Sequence, residues 1–361
     1  MQISLKNVSY TYNYKTPYAR EVLKDVNLEI EEGSYTVIVG KTGSGKSTLI
    51  EHINGLLLPT HGEVMINNVL ITNPKSKKEK RELARTLKEL RQDVAVLFQF
   101  SEQQLFETSV LKDIIFAPLN YGMAEDKAIL KAKELINLVG LDENYLDKSP
   151  FELSGGEMRK VALCGVLVLE PKVLILDEPT VALDYKSREE IMVMVKRLKE
   201  EFNMTIVLVT HNMDYVLEYA DKVFVLKNGE ISFEGKVEEL FLNEKILMDN
   251  SLELPEVLKF YQKLEAHNIV LDVFPRKYED LVNAFLDTVE NLVLEGEDVQ
   301  FVGWGSFKVQ VREERKGINP KTKEEITIPA KIIITRLSLP AIKITKNRLS
   351  APKTKPKPMI K

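Results

Sequence analysis

Nine consecutive residues, Gly40-Lys41-Thr42-Gly43-Ser44-Gly45-Lys46-Ser47-Thr48, fit the pattern G-x-x-x-x-G-K-[ST]. Glycines at this spacing let backbone N–H groups curl round phosphate oxygens at a helix N-terminus. Lys46 is then placed to reach the β- and γ-phosphates of a nucleotide, and the Ser47 hydroxyl to ligate Mg²⁺. A second constellation lies 131 residues beyond Lys46, where Val173-Leu174-Ile175-Leu176 ends in Asp177-Glu178. Asp177 is suited to hold Mg²⁺ through water, and Glu178 to polarise an attacking water as general base. Gln99 ends the apolar run Val94–Phe98, within reach of Mg²⁺ or of that water. His211 ends the run Thr205–Thr210 and reads as a γ-phosphate contact. Leu153-Ser154-Gly155-Gly156-Glu157 offers a capping serine and two glycines that let an anion approach the backbone. Tyr12, about thirty residues ahead of the glycine loop, is the aromatic best placed to stack on an adenine.

These residues need strands and helices to bring them together. Tyr35–Val39 reads as a buried strand, with a helix starting at Leu49. Val94–Phe98, Val173–Leu176 and Thr205–Val209 are apolar on both faces, as central parallel strands are, and ligands collect at the C-terminal ends of such strands. The alternation in Ile3–Tyr10 and Val26–Ile30 predicts two more strands, with Glu31–Ser34 forming a hairpin-like turn into Tyr35. Residues 75–92 read as a charged surface helix, and residues 109–150 as a helical subdomain delivering Ser154 to the start of another helix.

The 361 residues suffice for two or three domains, and 44% hydrophobic and 29% charged residues are ordinary for a soluble protein. The single cysteine, Cys164, excludes an internal disulfide and sits in an apolar run, as a packed, inert thiol does. That run is too short to span a membrane, and Met1–Leu5 lacks a signal-peptide layout, so any membrane role is expected to pass through partners. Charge is uneven. Residues 275–361 carry 17 Lys and Arg against 11 Asp and Glu, within a chain of net charge −4. An acidic front with a basic tail points to a composite chain whose end could meet a polyanion.

Taken together, LSGGE (Leu153–Glu157), VLILDE (Val173–Glu178), Gln99, Asp184 and His211 resemble the motifs of an ATP-binding-cassette ATPase, in that family's order. The resemblance covers residues 1–245, with the helical subdomain at about 101–152. It implies an α/β P-loop NTPase fold, a RecA-like core plus a helical subdomain, that binds ATP and Mg²⁺ and hydrolyses ATP. It also implies a head-to-tail dimer with an identical or sister subunit. ATP held by one chain's glycine loop is closed over by Ser154, Gly155 and Gly156 of the other, and Asp184 joins the nucleotide-binding set. More narrowly, Gly40–Gly62, Phe98–Pro118 and Glu152–Leu163 resemble the ATPases of energy-coupling-factor importers of vitamins and metals. This implies a peripheral subunit at the cytoplasmic face of a bacterial cell membrane. Its partners would be an integral-membrane energy-coupling subunit and a substrate-binding membrane subunit, with Glu102, Gln103, Gln104, Leu105 and Phe106 forming the partner groove. Glu157 stands where glutamine is common, and Ala182 where glycine is common. Residues 246–274, including the helical stretch Leu254–Asn268, are similar to the family's C-terminal extension.

From about residue 275 to 349 the chain resembles part of the HU/IHF family of histone-like DNA-binding proteins, a small α+β segment, through Asp280–Ala330. Leu281, Val282, Phe285, Val289, Leu292 and Val293 form a helical apolar stripe, and strands are expected at Val299–Val302 and Phe307–Val311 around Gly303-Trp304. The resemblance places Arg312, Arg315, Lys316, Asn319, Pro320, Lys321 and Lys323 on a basic β-arm that enters the DNA minor groove and wedges Pro320 between base steps. After Ala330 the family's closing pattern gives way to Lys331–Arg336, and Ser350–Lys361 is a basic Lys/Pro-rich tail expected to be disordered. A gene fusion or reading-frame junction near 268–275 would account for the change. The alternatives to an importer subunit are a DNA-associated cassette ATPase, or a fusion whose C-terminal half binds DNA independently.

Overall fold

The computed structural model describes residues 2–266, 271, 273–294, 299–301, 305–312, 315–318, 325–328 and 331–337. The chain divides into two units, Met1–Gln262 and Lys263–Lys361.

The first unit opens with β1 (Ile3–Tyr12) and β2 (Arg20–Ile30), paired antiparallel with Ile3 opposite Ile30. Alternate side chains of β2 are buried towards its end, as a sheet wetted on one face requires. β3 (Tyr35–Val39) is buried at every position. The two patterns belong to different sheets. Glu31–Ser34 is therefore a crossing between sheets rather than the hairpin-like turn expected, because a strand buried on both faces needs parallel neighbours. Gly33 turns the chain there with φ 71°, and its N–H donates to Thr205 Oγ1 at 2.9 Å.

Next come α1 (Lys46–Ile53), β4 (His61–Ile66), β5 (Val69–Ile71), α2 (Lys77–Asp93) and β6 (Val94–Leu97). α2 is the charged helix expected; Ser76 caps it by accepting from Glu79 N–H, and only Leu87 and Leu90 are fully buried. The helical subdomain carries α3 (Val110–Asn120) and α4 (Glu125–Leu138), whose buried Val110, Ile114, Ala128, Ala132 and Ile136 follow helical spacing. α5 (Gly155–Leu167), β7 (Val173–Asp177), α6 (Tyr185–Phe202), β8 (Thr205–Val209) and α7 (Met213–Tyr219) return the chain to the core. β9 (Lys222–Lys227), β10 (Glu230–Gly235), α8 (Val237–Phe241), α9 (Glu244–Asn250) and α10 (Glu256–Ala266) complete the run.

One sheet has the order β2-β1-β4-β5 and the other β10-β9-β3-β8-β7-β6. In the second, β9, β3, β8, β7 and β6 are parallel, with Ile38 and Asp177 both in register with Val209. That register brings the ends of β3, β7 and β8 to one edge, where the glycine loop, Asp177-Glu178 and His211 follow. Ile38, Leu49, Ile50, Val173, Ile175, Val207 and Phe224 pack into the core beneath them. Among the described residues no helix is long and apolar enough to cross a membrane.

Cys164 lies on α5 with no exposed surface, and burial pushes its thiol well above the usual range. A thiol reagent should therefore leave the native chain unmodified and label one thiol per chain in denaturant. Rapid labelling of the native protein, followed spectrophotometrically, would contradict this packing.

In the second unit, α11 (Tyr278–Leu294) buries Leu281 and exposes Val282, Phe285 and Leu286. β11 (Val299–Phe301), β12 (Gly305–Arg312), β13 (Arg315–Ile318), β14 (Glu325–Ile328) and β15 (Lys331–Leu337) follow. The two expected strands are β11 and β12. Lys331–Leu337, where the closing pattern gives way, forms a third strand antiparallel to β12. β13 and β14 pair as a ribbon, Arg315 opposite Ile328 and Ile318 opposite Glu325. Arg312 ends β12, and Arg315 and Lys316 begin β13. Asn319, Pro320, Lys321 and Lys323 lie outside the described residues, as do Gly303-Trp304 and the tail 350–361.

Candidate functional site

The glycine loop joins β3 to α1 and cannot be built with side chains at every position. A Cβ on Gly40 would lie 2.2 Å from Leu226 O, and Gly45 holds φ 109° as the residue preceding α1. No side chain caps α1, so its first N–H groups face outward with the partial positive charge of the helix end. Lys46 Nζ folds back to donate to Gly40 O at 2.7 Å and Lys41 O at 3.1 Å. Burial lowers its pKa, and the carboxylates of Glu178 and Asp177 oppose that shift.

Ser47 Oγ donates to Asp177 Oδ2 at 3.0 Å, so the loop serine meets the end of β7. Burial raises the Asp177 pKa; the hydrogen bond from Ser47 works against this, while neighbouring Glu178 adds to it. Glu178 leaves the strand with φ 48°, a left-handed conformation unusual for a side chain of this size. Its Oε1 lies 2.8 Å from His211 Nδ1, and Thr210 Oγ1 donates to its Oε2 at 3.4 Å. His211 is exposed, so the imidazole stands between the carboxylate and solvent.

A cavity of about 450 Å³ gathers Tyr12, Thr42, Gly43, Gly45, Lys46, Ser47, Thr48, Gln99, Asp177, Glu178 and His211. Gly40 lines an adjoining cavity of about 590 Å³ with Lys41, Lys46, Glu178 and His211. Ser44 is buried within the loop. Tyr12 is partly exposed, lies edge-on to Tyr10 with ring centres 4.8 Å apart, and its hydroxyl sits 3.2 Å from Thr48 Oγ1. One wall of the larger cavity, Ser251–Glu256 with Lys259, is not foreseen from the sequence, nor are Arg20 and Val22 in the smaller one. No motif marks them.

Ser154, Gly155, Gly156 and Asp184 line neither cavity. They form a separate exposed corner at the starts of α5 and α6. Asp184 caps α6, accepting from Ser187 N–H at 3.1 Å and Ser187 Oγ at 2.6 Å. A Cβ on Gly156 would lie 2.7 Å from Ser187 Oγ, so the two helix starts pack closely. Glu157 closes a capping box: its Oε2 accepts from Ser154 N and Oγ, both at 2.8 Å, and its Oε1 accepts from Tyr145 OH at 2.8 Å. These bonds, that from Ser154 N–H first, hold the Glu157 pKa below its ordinary value. A depressed pKa adds stability above the usual carboxylate range, and that stability is lost as pH falls through the lowered value. Because the carboxylate is largely solvated and its charge screened, Glu157→Ala should cost at most about 1 kcal/mol near neutrality, the scale of a lost capping bond. The difference in thermal midpoint from the parent should shrink in acid; a constant difference from neutral to acid would refute the role of the charge.

The segment expected to form a partner groove is only partly outward. Gln103 and Gln104 are exposed and Phe106 is 58% exposed, packed edge-on against Phe116, but Leu105 is buried. Glu102 turns inward to an ion pair with Arg159 at 2.6 Å, because a buried guanidinium requires a carboxylate.

Comparison with known proteins agrees with this architecture. Residues 23–181 match the family model described as ABC transporter, and residues 252–341 match that described as Bacterial DNA-binding protein. The second match begins ahead of residue 275 and takes in α10. The energy-coupling factor transporter ATP-binding protein EcfA2 of Enterococcus faecalis is 47% identical over 290 residues, covering 80% of this chain and 98% of that protein. EcfA2 of Geobacillus kaustophilus is 51% identical over 265 residues, 73% of this chain and 89% of the relative. Among solved structures, cbiO1 from Clostridium perfringens, part of the ABC transporter complex cbiONQ, superposes with a TM-score of 0.58 at 33% identity. It covers 72% of this chain and 98% of its own. The ATP-binding cassette MJ0796, solved as a dimer bound to ADP and Pi, gives a TM-score of 0.57 at 32% identity, covering 65% of this chain and 98% of its own.

Proposed function

Because the chain belongs to the ATP-binding proteins of energy-coupling factor transporters, within the ABC ATPases, we propose that its ATP hydrolysis powers uptake of a vitamin or metal micronutrient through membrane partners. The observation that carries this reading is the single cavity in which Lys46 and Ser47 of the glycine loop meet Asp177, Glu178 and His211. Backbone N–H groups of the loop and Lys46 bind the phosphates, and Tyr12 supports the adenine. Glu178 takes a proton from the attacking water, while His211, 2.8 Å from its carboxylate, orients it and reaches toward the γ-phosphate.

Ser47 and Asp177 already share a 3.0 Å contact between oxygen donors, with Gln99 lining the same cavity, which suits a hard cation that keeps several waters. These three residues would hold Mg²⁺, which when bound neutralises charge on the phosphates. Ser154, Gly155, Gly156 and Asp184 serve a second copy or a sister ATPase: their corner is exposed and apart from the chain's own cavity, which suits a head-to-tail pair. Gln103, Gln104, Phe106 and Phe116 face the membrane subunits, so the chain works as a peripheral subunit at the cytoplasmic face of the membrane. Purifying the tagged full-length chain from membranes in mild detergent tests this. An integral energy-coupling subunit and a small substrate-binding membrane protein should co-purify in stoichiometric amounts; their consistent absence would refute the importer role.

The match of residues 252–341 to a DNA-binding family favours a second activity, DNA binding through Arg312, Arg315, Lys316, Asn319, Pro320, Lys321 and Lys323. The full chain would then shift duplex DNA, and log K would fall linearly with log salt, about 0.9 per phosphate contacted. A salt-independent shift, or none, removes this reading.

A further inference from the structure

Arg159, in the second turn of α5, is among the largest fully buried side chains in the molecule, with 1% of its surface exposed. A guanidinium stays charged at any working pH, so burying it demands partners. It finds them on two segments besides its own helix. Nε and Nη2 donate to Glu102 Oε2 at 3.2 and 2.6 Å. Nη1 donates to Pro179 O at 2.9 Å and to Val181 O at 2.7 Å.

Both segments adjoin the hydrolytic site. Glu102 lies three residues beyond Gln99, in the short helical turn Ser101–Gln104. Pro179 and Val181 lie one and three residues after Glu178, in a loop where Glu178 and Ala182 hold φ 48° and 62°. Side chains adopt that conformation only where surrounding bonds over-determine it. Two carbonyls held by one rigid planar group supply such bonds, and Glu178 N–H donating to Val209 O at 2.9 Å supplies another. The guanidinium thereby makes the position of the Glu178 backbone depend on where Glu102 sits.

We propose that Arg159 is a positioning residue for ATP hydrolysis, transmitting displacement of the Glu102 segment to the loop that aims Glu178. This rests on the reading of Glu178 as the base. The ammonium of Arg159→Lys can keep one bond to Glu102 but cannot reproduce the fork to both carbonyls. In the assembled membrane complex, Arg159→Lys should lower kcat for ATP about 10- to 100-fold, with KM and the affinity for a fluorescent ATP analogue within twofold of the parent. Glu102→Gln should lower kcat in the same way, and the double variant should be no slower than Arg159→Lys alone, because one path carries both effects. Parental kcat, multiplicative effects in the double variant, or loss of nucleotide affinity in step with kcat would overturn the proposal. Glu178→Gln, measured alongside, separates the two ideas: normal turnover in that variant refutes the base, whatever the Arg159 variants do.

Discussion

Glu178→Gln should reduce steady-state ATP hydrolysis by about 10²- to 10⁴-fold while leaving ATP affinity nearly unchanged, the range expected when a positioned base is lost. The amide has the size of the carboxylate and keeps an oxygen for one of His211 Nδ1 and Thr210 Oγ1, which lie 2.8 and 3.4 Å from separate carboxylate oxygens, while its NH₂ faces the other. What it lacks is the ability to take a proton from water. Phosphate binding, by contrast, is proposed to depend on the glycine loop and Lys46, which the substitution does not touch. The check is a paired measurement in the assembled complex, turnover by phosphate release and affinity by calorimetry. Parental turnover would remove Glu178 from the chemistry, and a parallel loss of affinity would make it a binding residue.

Lys46→Ala acts earlier, by weakening ATP binding about 10²-fold or more, roughly the 3 kcal/mol of charge-assisted bonds to phosphate. Two further effects follow from its setting. Lys46 Nζ staples the loop through Gly40 O and Lys41 O, so its removal loosens the cradle before nucleotide arrives. It is also a cation that lowers the pKa of Asp177 against burial, so in its absence that carboxyl should titrate higher still. Lys46→Arg should not rescue, because a planar fork is a poor substitute for a compact ammonium inside a closed loop. Calorimetric ATP affinity within threefold of the parent for Lys46→Ala would contradict this account.

The elements that carry the site were legible because their residues leave few alternatives. Tyr35–Val39, Val173–Leu176 and Thr205–Val209 are apolar at almost every position, which fits a strand covered on both faces, and the glycine loop, Asp177 and Thr210 follow them in turn. The turn Glu31–Ser34 was misread because glycine and acids announce a change of direction but not which sheet receives the next strand. Glu102 is expected from the sequence to line the partner groove; only the fold supplies the buried Arg159 that draws it inward. Arg159 itself sits in a helix of ordinary composition, and no local pattern distinguishes a buried arginine from a solvated one. The left-handed backbone of Glu178 is likewise invisible in a string of letters, and the bonds on its loop come from Val209 and Arg159, elsewhere in the chain. Ser251–Glu256 borders the larger cavity only because the chain returns there once more, just over two hundred residues after the glycine loop.

The gap between the cavity of Lys46 and the corner of Ser154 also bears on inheritance. On the head-to-tail pairing proposed above, each chain would carry two functional faces that serve different reaction centres. Where the partner is encoded by a separate gene, a lesion at Lys46 and a lesion at Ser154 in the same gene strike different centres. Selection on any one centre is then shared between two loci. After duplication, either gene could then let one face drift while the other centre, to which that face does not contribute, continues to turn over ATP.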